Sequence, residues 1–154
     1  MSKCIKRINT EIKELEKEPL PGIRFNYDTE NLKLWKGEMD GPEGTPYHGY
    51  ILKVSIKFTD NYPFESPKIS FDHEVYHPNV SKDGTICLDI LKDQWSPSLS
   101  ISKVLLSLSS LLNDPNPQSA LNGEAGRNWI KDRSIYNLKV KEICEKKCKK
   151  NIEI

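Results

Sequence analysis

"YILKVSIKF", residues 50–58, decides the fold: Leu52, Val54, Ile56 and Phe58 alternate with Lys53, Ser55 and Lys57. That is the period of a strand with one face buried and the other in water. Upstream lie two β-prone runs at 23–27 and 33–39, and downstream KISFD at 68–72. The connections Asp40-Gly41-Pro42, Glu43-Gly44-Thr45-Pro46 and Asn61-Tyr62-Pro63 are turn chemistry, short enough for sequence neighbours to pair as an antiparallel meander. Before the sheet, Ile5, Ile8, Ile12 and Leu15 recur at helical spacing over residues 2–18, and Pro19, Pro21 and Gly22 stop that helix.

Beyond residue 72 periodicity vanishes until about residue 100. A connection of that length inside a compact domain is usually functional. From Ile101 an apolar helical face returns with Val104, Leu105, Leu108, Leu111 and Leu112, capped by Ser98 or Ser100 and ended by Asp114-Pro115. So apolar a helix belongs against the sheet. Two more helices fit 121–131 and 133–149, the second with Asp132 as N-cap and a Lys-rich last turn. The order predicts an α+β fold in a single domain over 1–154: N-terminal helix, four-stranded antiparallel meander, long active-site loop, central helix and two C-terminal helices.

Lys plus Arg number 23 against 22 Asp plus Glu, a net charge of +1, and no basic block is long enough to track a phosphate backbone. Nucleic acid is excluded as a partner on that ground. No apolar run approaches the roughly 18 residues of a membrane span, and the charged N-terminus does not read as a secretion signal. The expectation is a soluble intracellular monomer, cytoplasmic with the nucleus as a second compartment. The four cysteines, at 4, 87, 144 and 148, are too unevenly scattered for a disulfide framework. Cys144 and Cys148 have the spacing to face one metal, but no second ligand pair accompanies them, so no metal site is predicted.

Cys87 stands in the unpatterned loop, within "HEVYHPNVSKDGTICLDILKDQWSP" at 73–97. A buried cysteine often serves only as a small hydrophobe, but a long turn-rich loop points to a site. A phosphatase loop would need arginine six residues on, where Asp93 stands. A cysteine protease needs a histidine base and an electropositive pocket. Lys82 and Lys92 are outnumbered by Asp83, Asp89 and Asp93, which speaks against a protease-like thiolate. A thiol left mostly protonated suits a carrier that takes an acyl group from one thioester and presents it to another nucleophile, the buried structural cysteine remaining the plain alternative.

His77-Pro78-Asn79, Cys87 eight residues after that asparagine and Trp95 eight after the cysteine resemble the active-site signature of ubiquitin-conjugating enzymes. The Tyr62-Pro63-Phe64-Glu65-Ser66-Pro67 loop and LLNDPNP at 111–117 match the same family in order, over about residues 3–150. The resemblance implies that Cys87 accepts ubiquitin as a thioester from the activating enzyme and delivers it to a lysine of a substrate protein, usually with a ubiquitin ligase of RING or HECT type. It implies no bound cofactor, ATP being consumed upstream by the activating enzyme. Two alternatives share the fold: a conjugating enzyme for another ubiquitin-like modifier, and a non-catalytic interaction module.

By the same resemblance Asn79 donates to the oxyanion, or else braces the loop, while Asp89 and Ser119 flank the incoming lysine. His77, Pro78 and Trp95 are structural at the active site. Lys6, Arg7, Phe64, Ser96 and Pro97 form the surface offered to activating enzyme and ligase, and Leu106 and Ser110 contact the donor ubiquitin. The chain departs from common family residues at Glu65, Ser98 and Ser119. Arg24 stands where some relatives place a small residue that admits a second ubiquitin on the outer face of the sheet.

Overall fold

The computed structural model describes residues 2–151. Helix α1 spans Lys3–Lys17, and Ser2 caps it, its hydroxyl accepting from Ile5 N at 3.1 Å. Strands β1 (Ile23–Asp28), β2 (Asn31–Asp40), β3 (Tyr50–Lys57) and β4 (Lys68–Phe71) follow as an antiparallel meander in the order β1-β2-β3-β4. The register pairs Trp35 with Ile56 and Ile56 with Ile69. Leu52, Val54 and Ile56 are fully buried, as the alternation at 50–58 requires.

Helix α2 (Ile101–Asn113) is capped by Ser100, the second of the two candidate serines, whose hydroxyl accepts from Lys103 N at 3.1 Å. Its Ile101, Val104, Leu105, Leu108 and Leu112 join Trp35, Leu52, Ile56 and Phe71 of the sheet in one core. Helices α3 (Gly123–Lys131) and α4 (Arg133–Lys147) complete the chain's helical part, with Asn122 and Asp132 as their N-caps.

Three expectations need correction. The helix expected to reach residue 149 stops at Lys147, and Lys149–Lys150 form a short strand β5 that pairs with Tyr50 and Ile51 of β3. The sheet therefore has five strands rather than four. A two-residue strand carries too little pattern to separate it from a Lys-rich helix end. Second, α1 buries Cys4 and Glu11 beside Ile8 and Leu15 of the expected stripe, while Ile5 and Ile12 pack against the core only partly buried. Third, the loop at 73–100 is not bare: bridges join Ser70 with Thr85, His77 with Val80 and Val80 with Ile86, and a 3₁₀ turn spans Asp89–Leu91. A second such turn covers Pro117–Ser119.

Candidate active site

The loop that holds Cys87 is fastened to the sheet at its base. Phe71 N donates to Gly84 O at 2.9 Å, and Gly84 adopts φ +93°, where a Cβ would lie 2.1 Å from Phe71 O. Only glycine fits so close a backbone approach with that dihedral. Asp83 closes the adjoining turn by accepting from Thr85 N at 3.0 Å and from the Ser81 hydroxyl. Those two bonds, Ser81 first, hold its carboxyl below the usual range.

His77 is fully buried. Its Nδ1 accepts from Asn79 N at 2.9 Å, so the neutral ring carries its proton on Nε2 and donates to Leu111 O at 2.7 Å. Burial pushes its pKa down to about 4, although the Leu111 bond opposes the shift. With both nitrogens engaged, the imidazole ties the loop to the end of α2 and has no lone pair to offer as a base. Pro78, also buried, gives its carbonyl to Leu121 N at 2.8 Å and Asn122 N at 3.0 Å.

Asn79, 1% exposed, is held by reciprocal bonds. Its Nδ2 donates to Asn116 O at 2.8 Å and to Ser119 O at 3.1 Å, and its Oδ1 accepts from Asn116 N at 2.8 Å. Both amide hydrogens are thus committed to the 116–119 segment. Its own carbonyl accepts from Cys87 N at 2.8 Å, which fixes the cysteine backbone.

Cys87 itself is partly exposed, and Lys92 Nζ lies 3.4 Å from its Sγ. Of the charged residues counted around Cys87, Lys92 is the one that touches its sulfur. Asp83 is bound into its own turn, and Asp89 accepts from Ile90 N at 2.8 Å, while the 3₁₀ turn folds Lys92 back onto the thiol. That turn brings position 92 around to position 87.

Asp89, Leu106 and Ser110 meet along one groove of about 310 Å³, with Lys103 and Asp114 also on its lining. Leu106 is half exposed on α2, an apolar side chain turned to solvent rather than to the core. Ser119 is exposed beside Asn79, and its hydroxyl accepts weakly from Asn116 Nδ2 at 3.4 Å.

The residues expected to face partners separate into two groups. Lys6 is exposed and Phe64 is 69% exposed, an apolar ring in a turn with no cover among the described residues. Ser96 and Pro97 lie in the same surface loop, where the Ser96 and Ser98 hydroxyls bond at 2.9 Å. Arg7 is otherwise occupied: its Nε donates to Glu11 Oε1 at 3.0 Å, its Nη2 to Leu99 O at 3.0 Å, and its guanidinium stands over the Tyr62 ring. Trp95 is half-buried and donates Nε1–H to Pro63 O at 2.9 Å.

Glu11 is the residue that sequence reasoning missed. Its carboxylate, 1% exposed, also accepts from the Tyr62 hydroxyl at 3.0 Å and from Ile101 N at 3.1 Å. One buried charge therefore joins α1, the loop that carries Phe64 and the start of α2. The signal was present in the spacing Cys4, Ile8, Glu11, Leu15, where a carboxylate occupies a core position and must find partners there.

On the outer face of the sheet, Arg24 pairs with Glu38 at 3.3 Å and Asp40 at 3.1 Å, so the large side chain lies across β1 and β2. The model of the family "ubiquitin-conjugating enzyme" matches residues 7–144, which span strands β1 to β4, the loop of Cys87 and all but the end of α4.

Proposed function

Because the chain belongs to the ubiquitin-conjugating enzyme family, we propose that Cys87 is the carrier thiol, taking ubiquitin's C-terminal carboxyl from the thioester of the activating enzyme. In the second step a substrate lysine amine attacks the thioester carbonyl, the C–N bond forms, the C–S bond breaks, and the amine loses its proton. The observation that carries this reading is Cys87 itself: a partly exposed thiol on a loop pinned by His77, Asn79 and Gly84, with an ammonium 3.4 Å from its sulfur. Lys92 gives the departing sulfur a charged hydrogen-bond donor.

Asn79 acts first as a brace. Donation to the tetrahedral oxyanion requires that Nδ2 leave Ser119 O or Asn116 O, an exchange that arrival of the substrate at the 116–119 segment would drive. Asp89 and Ser119 orient the incoming lysine, and the groove of Leu106 and Ser110 receives the donor ubiquitin. Lys6, Phe64, Ser96 and Pro97 meet the activating enzyme and the ligase, with Arg7 shaping that surface from within. The enzyme binds no cofactor of its own, uses ATP only through the activating enzyme, and works as a monomer in cytoplasm and nucleus.

The test is a mixture of the protein with activating enzyme, ubiquitin and ATP. The expected product is a thiol-sensitive adduct of one added ubiquitin, absent from Cys87→Ala and converted to a thiol-resistant ester in Cys87→Ser. An adduct that persists in Cys87→Ala, or none with the native chain, rejects the reading. Parallel reactions with other ubiquitin-like modifiers and their activating enzymes should give no comparable adduct.

A further inference from the structure

Away from Cys87, two thiols and an imidazole meet where α4 ends. Cys144 is 2% exposed and lies one helical turn before Cys148, which is half-buried and forms the C-cap, its N–H donating to Cys144 O at 2.8 Å. Cys148 Sγ rests against His73, 3.8 Å from Nδ1 and 4.0 Å from Nε2. That ring is fixed: Lys53 N donates to Nε2 at 3.0 Å, which leaves the neutral ring's proton on Nδ1, bonded to Glu74 O at 3.0 Å. Directly after Cys148 the chain enters β5 on Tyr50 and Ile51 of β3, and Asn151 N donates to Gly49 O at 2.8 Å.

We propose that Cys148 and Cys144 are a hydroperoxide-responsive thiol pair, Cys148 the attacking sulfur and Cys144 the resolving one, whose oxidation unlatches β5 from β3. The asymmetry is set by placement. The neighbouring Cys148 and burial in the core push the Cys144 thiol up, whereas Cys144 and the His73 ring beside it pull the Cys148 thiol down. A reachable thiolate next to a buried resolving thiol is the arrangement that redox-responsive cysteines share.

The steps balance with a hydroperoxide as oxidant. The Cys148 thiolate, its proton already passed to solvent, attacks the terminal peroxide oxygen. An S–O bond forms, the O–O bond breaks, and hydroxide or alkoxide leaves, so sulfur is oxidised by two electrons and the peroxide is reduced. Cys144 Sγ then attacks the sulfenic sulfur. The S–S bond forms, the S–O bond breaks, and the Cys144 proton departs with hydroxide as water. Residues four apart in a helix have Cα atoms about 6 Å apart. A disulfide also needs Cβ atoms roughly 4 Å apart, so the last turn of α4 must rearrange and the Cys148 N–H bond to Cys144 O must open. β5 is the next segment along the chain and moves with it.

The experiment uses the full chain carrying Cys87→Ser, so that the active-site thiol does not compete. It is exposed to hydrogen peroxide near neutral pH, alkylated with iodoacetamide and digested with trypsin, which cuts between the two cysteines at Lys146 and Lys147. Expected are a dithiothreitol-reversible link between the Cys144 and Cys148 peptides and roughly tenfold faster amide exchange at residues 149–151. Before oxidation Cys148 should alkylate roughly tenfold faster than Cys144. In Cys148→Ser no link forms and Cys144 stays alkylatable, while in Cys144→Ser a Cys148 sulfenic acid is captured by dimedone. Undiminished alkylation of both cysteines after peroxide overturns the proposal, as does a Cys148 sulfinic acid beside an intact Cys144. Unchanged exchange at 149–151 in the linked protein overturns the unlatching. Should Cys144→Ser fail to fold, the native pair and Cys148→Ser decide alone. Ubiquitin loading plays no part in the readout, so the outcome is independent of the carrier role of Cys87.

Discussion

Asn79 and Asn116 are bonded in both directions, Nδ2 of the first to the carbonyl of the second at 2.8 Å and N–H of the second to Oδ1 of the first at 2.8 Å. Removing the side chain takes the partner from the Asn116 and Ser119 carbonyls and the Asn116 N–H and leaves a gap at a buried position. Asn79→Ala should cost about 2 to 3 kcal/mol in urea unfolding. It should also slow isopeptide transfer to lysine by roughly 100-fold, while loading of Cys87 changes only several-fold. Equal loss in both steps would reduce Asn79 to a purely structural brace.

Glu11 offers the sharpest separation between fold and surface. Glu11→Ala strands the Tyr62 hydroxyl, the Ile101 N–H and Arg7 Nε, and should destabilise the chain by about 3 kcal/mol or more. Lys6→Ala, on the same helix but exposed, should stay within about 0.5 kcal/mol of the parent. Ligase-dependent transfer should nevertheless fall in both, and chemical denaturation alongside a transfer assay checks the pair.

Stability should depend on pH through His77. Its pKa is about 4 in the folded chain and about 6.5 when unfolded, so the unfolded state binds more protons between those values. Stability contributed by the neutral ring is therefore complete above pH 6.5 and is lost as pH falls toward 4, in all about 3 kcal/mol. Urea midpoints across that window should show the loss. In His77→Gln the part of the slope that belongs to this group should vanish, even though the variant is less stable throughout.

Ser119→Asp places a carboxylate where a hydroxyl now stands in the open beside Asn79. A carboxylate attracts an ammonium as a hydroxyl cannot. Discharge of the loaded enzyme onto free lysine should rise several-fold at neutral pH, and the gain should shrink with added salt. An unchanged rate would remove Ser119 from the lysine-facing residues.

Gly84→Ala tests the base of the active loop. The φ of +93° alone costs an alanine about 1 to 2 kcal/mol, and its Cβ would meet Phe71 O at 2.1 Å. The loss should exceed that dihedral cost in a thermal melt.

Elements with a sustained period were legible from sequence. Leu52, Val54, Ile56 and Phe58 announced β3, and Asp132 announced the start of α4, because alternation and capping are local. Lys149–Lys150 was not, since a strand of two residues exists only through its partner Tyr50–Ile51. At the site, the signature singled out Cys87, His77 and Asn79, but not what they touch. The Lys92 contact depends on a turn that brings it back, and the role of Glu11 on three segments that are remote in sequence.

The carboxylate of Glu11 also bears on how variation in this chain would show itself in a living cell. Damage at position 11 would lower the amount of folded protein and so weaken every encounter together. Damage at Lys6 or Phe64 would leave abundance alone and weaken selected encounters. A survey of variants scored for both abundance and transfer would therefore sort α1 into two classes, with neighbouring positions on the same helix belonging to different ones.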